Sequence, residues 1–478
     1  MRLGVRTKVC DGGTSLLGTS TGRLVYLKPR AAALLDDDLL TVADEDSAAL
    51  ARLLLDRDLV DPWWPNRADD EGVTDVTVVI PVRDREAQLA RLLAALPGHL
   101  PLVVVDDGSL DEVAIARVSR RHGAMLVRHG TSRGPAAARN SGFRAVETPY
   151  AVFVDSDVVP VPGWLGTLRR HFADPLLGLA APRVLGLPQQ PDDPADPADH
   201  DGARTHRGPA GGWLQRYEAA RSSLDLGDQP AGVHPHGQVA YLPSAALMVR
   251  RKAWGSGFDE TLHVGEDVDL VWRTHEAGWR IRYEPAAVVR HEHRADVGQW
   301  LARKAFYGTS ADLLAARHGD AVAPMVLSPW TIVFMSALLA QRRWSIPLAA
   351  VAYAGTTWQV SRKLGRSEQP LLAAASLTAF GAVAALWQTA SALTRHYWPL
   401  AVAAAAVSSR ARRALLVAAV AEGLLDHHRT RPELDPVRYL AARRLDDLAY
   451  GTGVWLGALR GRSLRALRPA VKGFDLFR

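Results

Sequence analysis

Between residues 75 and about 295, short β-branched runs alternate with stretches whose apolar residues recur at helical spacing. The runs are Val76-Thr77-Val78-Val79-Ile80, Leu102-Val103-Val104-Val105, Met125-Leu126-Val127 and Ala151-Val152-Phe153-Val154, and helix-length patterns at 85–96, 111–122 and 135–147 lie between them. Strand and helix in alternation predict an α/β fold around a mainly parallel sheet. Residues 1–70 are shorter apolar segments closed by Asp61-Pro62-Trp63-Trp64-Pro65, which reads as a linker. The stretch 187–211, rich in Pro, Asp and Gly, reads as a surface insertion without a core of its own.

The pattern changes again after the α/β part (71–318). Ala321–Gln341, Trp344–Ser361 and Gln369–Thr394 are uncharged, and His396–Ser409 is a shorter apolar stretch. A bilayer core takes about 20 apolar residues per helix, so the first and third are long enough and the second is marginal. An Ala-rich soluble bundle is the alternative. Placing Arg317, Arg362, Lys363, Arg366, Arg410, Arg412 and Arg413 with the α/β part, and Arg342, Arg343 and Arg395 opposite, obeys the positive-inside tendency. That arrangement makes 319–421 a set of membrane helices at the cell membrane, with the α/β part on the cytoplasmic side. The tail, 422–478, carries eleven cations and six acids after Glu422 in amphipathic patterns suited to an anionic membrane surface.

Composition narrows the partners. Of 478 residues 48% are hydrophobic and 23% charged, which are globular values. The net charge of +6 invites a nucleic-acid reading, but only six of the cations are Lys and no basic patch is interleaved with aromatics, so no nucleic-acid partner is expected. A single cysteine, Cys10, fits a reducing compartment, and MRLGVRTKVCDGG lacks the apolar run of a secretory signal.

Candidate chemistry gathers at the ends of the strand runs. Asp106-Asp107-Gly108-Ser109 ends one of them, where ligands bind in open α/β sheets. Two acids there can accept from a base N–H and ribose hydroxyls, or can form an Asx turn capping the helix that begins near Asp111. Asp155-Ser156-Asp157 ends another, and strand alternation would turn both carboxylates to one side, as hard-oxygen ligands of Mg²⁺ or Mn²⁺. Alternatively it is a solvated loop. Arg133-Gly134-Pro135, leading to Arg139 and Asn140, opens a helix whose exposed N–H groups can take an anion, or which is simply capped. Pro81, Val82 and Asp84 lie where a base ring would lie. Glu266 and Asp267 stand at a helix N-terminus, where the macrodipole favours an ionised carboxylate and hence a general base, unless they are only charge caps. His291 or His293 could complete a metal shell or be structural.

Ile80-Pro81-Val82, Asp106-Asp107-Gly108-Ser109, Gly134 to Asn140, Asp155-Ser156-Asp157, Gly257-Phe258-Asp259-Glu260 and Glu266-Asp267, in this order, resemble family 2 glycosyltransferases of the GT-A fold. The resemblance implies a nucleotide-sugar donor, a divalent metal cofactor and an inverting mechanism. In it Asp267 is the base, Asp106 and Asp107 hold the nucleoside, and Asp157 with Asp155 holds the metal. Processive members carry Gln-x-x-Arg-Trp; Gln341-Arg342-Arg343-Trp344 has another spacing and follows the first apolar segment, which argues against a translocating channel. The whole layout is similar to actinobacterial glycosyltransferases acting on a precursor of a redox cofactor, and residues 22–62 resemble small winged-helix-like (PqqD-like) modules that recognise peptide precursors. That narrower likeness implies a peptide-derived small-molecule acceptor, UDP-glucose as donor and a β-linked chain as product. A family 2 enzyme loading a polyprenyl phosphate or a cell-envelope glycolipid is the alternative, and a membrane-anchored precursor-binding scaffold is the non-enzyme one.

Overall fold

The computed structural model describes residues 1–19, 22–66, 68–187, 212–292 and 296–473. The 187–211 insertion, save Leu187, and His293 lie outside the described residues.

The β-branched runs form the strands Val76–Val82, Leu102–Asp107, Met125–His129 and Tyr150–Val154, each buried along most or all of its length except Met125–His129 at the sheet's edge. They pair in parallel, in the order Met125–His129, Leu102–Asp107, Val76–Val82, Tyr150–Val154. From there the sheet becomes mixed. Ala246–Arg250 runs antiparallel to Tyr150–Val154, then Leu177–Gly186, Arg280–His291 and Val158–Pro160 complete the row. Helices Glu86–Ala95, Glu112–Arg121 and Pro135–Arg144 connect the parallel strands. One apolar cluster fills one face of the sheet with Leu89, Leu92, Ile115, Trp164 and Leu168; a second fills the other with Phe143, Phe258, Leu270 and Trp272. Alternate residues of Val76–Val82 divide between them, Val78 and Ile80 on one side and Val79 on the other, as period-2 geometry requires.

The first 61 residues hold two small sheets and one helix longer than a turn, Glu45–Leu55, capped by Asp44 and Ser47. This module is fastened to the catalytic sheet by Asp61 on Arg282 (2.5 Å), Asp56 on Arg280 (2.8 Å) and Asp58 on His234 (2.9 Å).

The C-terminal region corrects two expectations. Residues 321–341 are not one long helix: a 3-10 turn at Gly319–Val322 and a strand at Val326–Leu327 precede Pro329–Ala340, only 12 residues long. Among the described residues one helix, Pro370–His396, is long and apolar enough to cross a membrane. The second correction concerns the charged tail. Glu422 falls inside the helix Ser409–Thr430, and the following helix Pro436–Arg460 leaves Arg438 and Arg460 exposed but not all of its charges. It buries Arg443, Asp446 and Asp447 against Glu422 and Lys304, because a charge taken from water needs a partner. The seam with helix Val297–His318 is made of small residues. A Cβ on Gly308 would lie 2.2 Å from the Tyr450 carbonyl, and one on Gly453 would lie 1.9 Å from that of Ala305.

Candidate active site

The four parallel strands end together. Register sets Val82 against Asp106 and Asp107 against His129, so Asp84, Asp106, Asp107 and Asp155 line one carboxyl edge.

At that edge the DDGS acids face the protein. Asp106 is fully buried, accepts from Ser109 N (2.9 Å) and pairs with Arg128. Asp107 accepts from His129 Nδ1 (2.7 Å), Ser132 Oγ (2.7 Å), Arg133 N (2.8 Å) and Gly134 N (2.9 Å). Burial opposes its ionisation, yet these donors outweigh burial and hold the carboxyl below its ordinary range. Asp107 thus takes up the Arg133 and Gly134 N–H groups just before the helix Pro135–Arg144. Pro135 takes the first helical position as expected. Gly108 is in the left-handed region (φ 74°), and a Cβ there would lie 2.7 Å from Ser132 N. That contact brings the 131–134 loop onto the strand end. Asp84 (φ 54°) braces the same turn, accepting from Leu110 N (2.7 Å) while its own N donates to Ser109 Oγ (2.9 Å). Pro81 and Val82 remain within the strand, opposite Val105 and Asp106.

Asp155 and Asp157 do not follow strand alternation. The strand ends at Val154, and Val158 N donates to Asp155 O (3.0 Å), so the two acids sit on a turn. They face different partners. Asp155 accepts from Arg139 Nη2 (2.6 Å). Asp157 pairs with Arg85 and lies 3.4 Å from His291 Nε2.

Arg139, buried, also reaches Glu266 Oε1 with its Nη1 (3.3 Å) and lies over the Phe258 ring. It therefore joins the Asp155 turn to the helix Glu266–Glu276. Asn140 turns elsewhere. Its Nδ2 donates to Phe258 O (2.8 Å) and Glu260 Oε1 (3.0 Å), and its Oδ1 accepts from Phe258 N (3.0 Å). Asn140 thereby clamps the Gly257-Phe258-Asp259-Glu260 turn. A cleft of about 760 Å³ opens on that side, lined by Asn140, Trp254, Glu260, Asp269 and Arg317, without Asp155, Asp157 or Asp267.

Glu266 and Asp267 open their helix after Gly265 (φ 80°). Asp267 accepts from Val268 N (2.8 Å) and, at 3.4 Å, from Ser244 N. It keeps part of its surface open, yet burial first, and the Glu266 charge second, push its carboxyl up to about 7. Desolvation thus overrides the macrodipole that was expected to keep it ionised. A carboxyl that titrates near neutrality is matched to proton abstraction.

Gly265 packs on Ser310 in the helix Val297–His318, and Tyr307 stands one turn before Ser310. Next to Tyr307, Gly308 meets Tyr450 O, and Gly451 meets Arg395 O. Arg395 lies 3.9 Å over the Tyr450 ring. The Tyr241 phenol, held far above its ordinary range by burial and then by Asp267, Tyr450 and Tyr307, shares this neighbourhood. Tyr241, whose OH donates to Ser223 O (3.1 Å), Tyr307, Tyr450 and Arg395 thus gather in the neighbourhood of Asp267. Sequence reading missed them, along with Arg85, Arg128 and His129. Only Arg85, a cation just past the first strand, carried a local signal; the others are brought in by tertiary contacts.

The sequence of residues 77–193 matches glycosyl transferase family 2. A pre-mycofactocin glycosyltransferase of Mycobacterium tuberculosis is 43% identical over 98% of this chain and 96% of its own length. This chain belongs to glycosyl transferase family 2. Its sheet and helices are a GT-A-type fold, and its strand-end acids lie in a glycosyltransferase. An N-acetylglucosaminyl-diphospho-decaprenol L-rhamnosyltransferase of M. tuberculosis is 27% identical over 52% of this chain and 86% of its own. A solved mannosyltransferase from Pyrobaculum calidifontis, in complex with GDP-Man and Mn²⁺, covers 71% of this chain and 94% of its own at 19% identity, with a TM-score of 0.38.

Proposed function

We propose that this glycosyltransferase moves glucose from UDP-glucose onto pre-mycofactocin, a peptide-derived redox cofactor precursor, with inversion, building a β-linked chain. The observation that carries the acceptor is the 43% identity maintained over nearly the whole of both chains. In the reaction Asp267 takes the proton of an acceptor hydroxyl. The oxygen bonds to the anomeric carbon as the bond from that carbon to the diphosphate oxygen breaks, and the nucleoside diphosphate leaves from the opposite face. The half-open, raised carboxyl of Asp267 supports this role. Asp84, Asp106, Asp107, Gly134 and Asn140 shape the donor cleft from behind through the bonds described, and Arg139 keeps Asp155 and Glu266 in register.

No group of three metal-ligating side chains occurs among the described residues. Mg²⁺ and Mn²⁺ at phosphate sites, however, need only one or two protein carboxylates beside substrate oxygens. Asp157, with His291 at 3.4 Å and Asp155 on the same turn, fits that requirement. Bound there, the ion would neutralise charge on the leaving diphosphate. We read the N-terminal module as the precursor-recognising element, and Tyr241, Tyr307, Tyr450 and Arg395 as the acceptor wall.

Purified chain, pre-mycofactocin, UDP-glucose and Mn²⁺ or Mg²⁺ test the reading together, with mass spectrometry following the acceptor. A stepwise gain of one hexose is expected. Transfer only to a polyprenyl phosphate, recovered in the organic phase, would replace the acceptor assignment.

A further inference from the structure

The apolar C-terminal region is a helical layer with an open greasy face. Trp344, Ile346, Trp358, Leu372, Val407 and Val417 are between 48% and 89% exposed. They belong to the four successive helices Ser345–Lys363, Pro370–Ser391, Trp398–Val407 and Ser409–Thr430, or to the short link before the first of them. A soluble surface rarely leaves so many large apolar side chains uncovered within one region. Charge in the same region has one sign. From Ala321 to Ala421 there are nine cations and a single acid, Glu368. The fold collects some of them. Gln341 Nε2 donates to Arg410 O (2.8 Å), and Arg413 Nε donates to Gln341 Oε1 (3.1 Å). The exposed Arg342, Arg343, Arg412 and Arg413 therefore share one rim, beside Trp344 and Ile346.

Pro370–His396, the helix with the length to cross a bilayer, is moored at both ends. At its start, Ala374 and Leu377 pack on Leu17 and Leu24 of the N-terminal module, and Asp11 Oδ1 accepts from Ser367 Oγ (2.8 Å) and Glu368 N (2.9 Å). At its end, Thr394 donates to Asp447 (3.3 Å) and the Arg395 carbonyl meets Gly451 of the last long helix. Both moorings belong to one water-soluble body. The N-terminal module is bound to the catalytic sheet through Asp61 and Arg282. The last helix is bound to the helices Val297–His318 and Trp213–Arg221 of the same body through Lys304, which pairs with Asp446 and Glu218 (each 3.3 Å). A spanning helix of this length, ~40 Å at 1.5 Å per residue, would put its two ends on opposite sides of a membrane that this body cannot cross.

We infer that the layer docks on an anionic phospholipid surface and lies in its interface, with its apolar side chains inserted and the Arg342, Arg343, Arg412 and Arg413 rim against the headgroups, and that no helix crosses the bilayer. One-signed charge beside Trp, Ile and Leu is the chemistry of an interfacial layer rather than of a protein partner, whose surface would call for acids as well as cations. This goes beyond the sugar-transfer reading, and its test reads membrane binding alone.

Full-length protein is floated with vesicles of phosphatidylcholine, with and without phosphatidylglycerol. Binding only in the presence of phosphatidylglycerol is expected, weakened by salt and released by alkaline carbonate. The combined R342E/R343E/R412E/R413E variant should bind at least tenfold more weakly with an unchanged melting temperature. I346N, which removes no charge, should also weaken binding, and it keeps the test open if the fourfold variant misfolds. Resistance to carbonate extraction would overturn the inference in favour of a spanning helix. Absence of binding to both vesicle types, with light scattering showing a dimer, would overturn it in favour of a second copy covering the face.

Discussion

The guanidinium of Arg139 lies 2.6 Å from the carboxylate of Asp155, and the same buried group reaches Glu266 at 3.3 Å. One cation thus spans the turn that carries the donor-site acids and the helix that carries the base. Replacing Arg139 with Ala strands two acids in a poorly solvated place. It should cost about 3–5 kcal/mol, the usual toll of breaking a buried pair, read by urea unfolding. Arg139→Lys keeps the charge without the fork. It should recover much of the stability yet leave kcat low, because a point charge cannot hold both carboxylates at once.

Asp267 should set the acidic limb of the rate profile. Its raised carboxyl means that log kcat/KM rises with pH until about 7 and then levels. In Asp267→Asn transfer should fall by a factor of about 10²–10⁴ with UDP-glucose binding retained by calorimetry, and the limb should vanish. The stability effect has the opposite sense. Because the folded chain holds this proton more tightly than the unfolded one, the contribution is complete below the ordinary value of 3.8 and is lost as pH climbs to about 7. Asp267→Asn should therefore flatten the decline in melting temperature across that window.

Asp157→Ala should abolish Mn²⁺-dependent transfer and leave the melting temperature close to that of the parent chain. Titrating Mn²⁺ by paramagnetic resonance in the presence of UDP checks the same point without turnover. Undiminished ion binding in the variant would remove Asp157 from the metal site.

Asn140 separates a clamp from a ligand. Its amide closes the turn at Phe258 with bonds of 2.8 and 3.0 Å. Asn140→Ala leaves those buried groups unpaired and should cost about 1–3 kcal/mol in thermal unfolding. A raised KM for the donor with no change in melting temperature would instead make it a nucleotide contact.

The parallel half of the sheet was legible because each run is bounded by turn residues and, Met125–His129 apart, is buried on both faces. Pro135 was an equally plain local signal for a helix start. The direction of the acids was not. Whether Asp107 meets a nucleotide or the N–H groups of Arg133 and Gly134 depends on the approach of a loop some twenty-five residues later, driven by Gly108. Asp155 and Asp157 look like alternating strand positions until the turn after Val154 is known. Arg443 and Asp447 read as surface charges because sequence records their sign and not their burial, and only the helix seam shows them paired.

That seam also sets an order of events in time. Gly308 and Gly453 let the last long helix close against the one that supports Gly265, so the back of the catalytic helix is finished by the end of the chain. A ribosome adding 5–20 residues per second would present the sheet, its acids and Asp267 on the order of ten seconds before the segment that holds them in place. During that interval the nascent chain carries an assembled strand edge with an unsupported base. Competence for transfer is therefore acquired in one late docking step, and a message cut short before that helix should yield a folded sheet with no turnover.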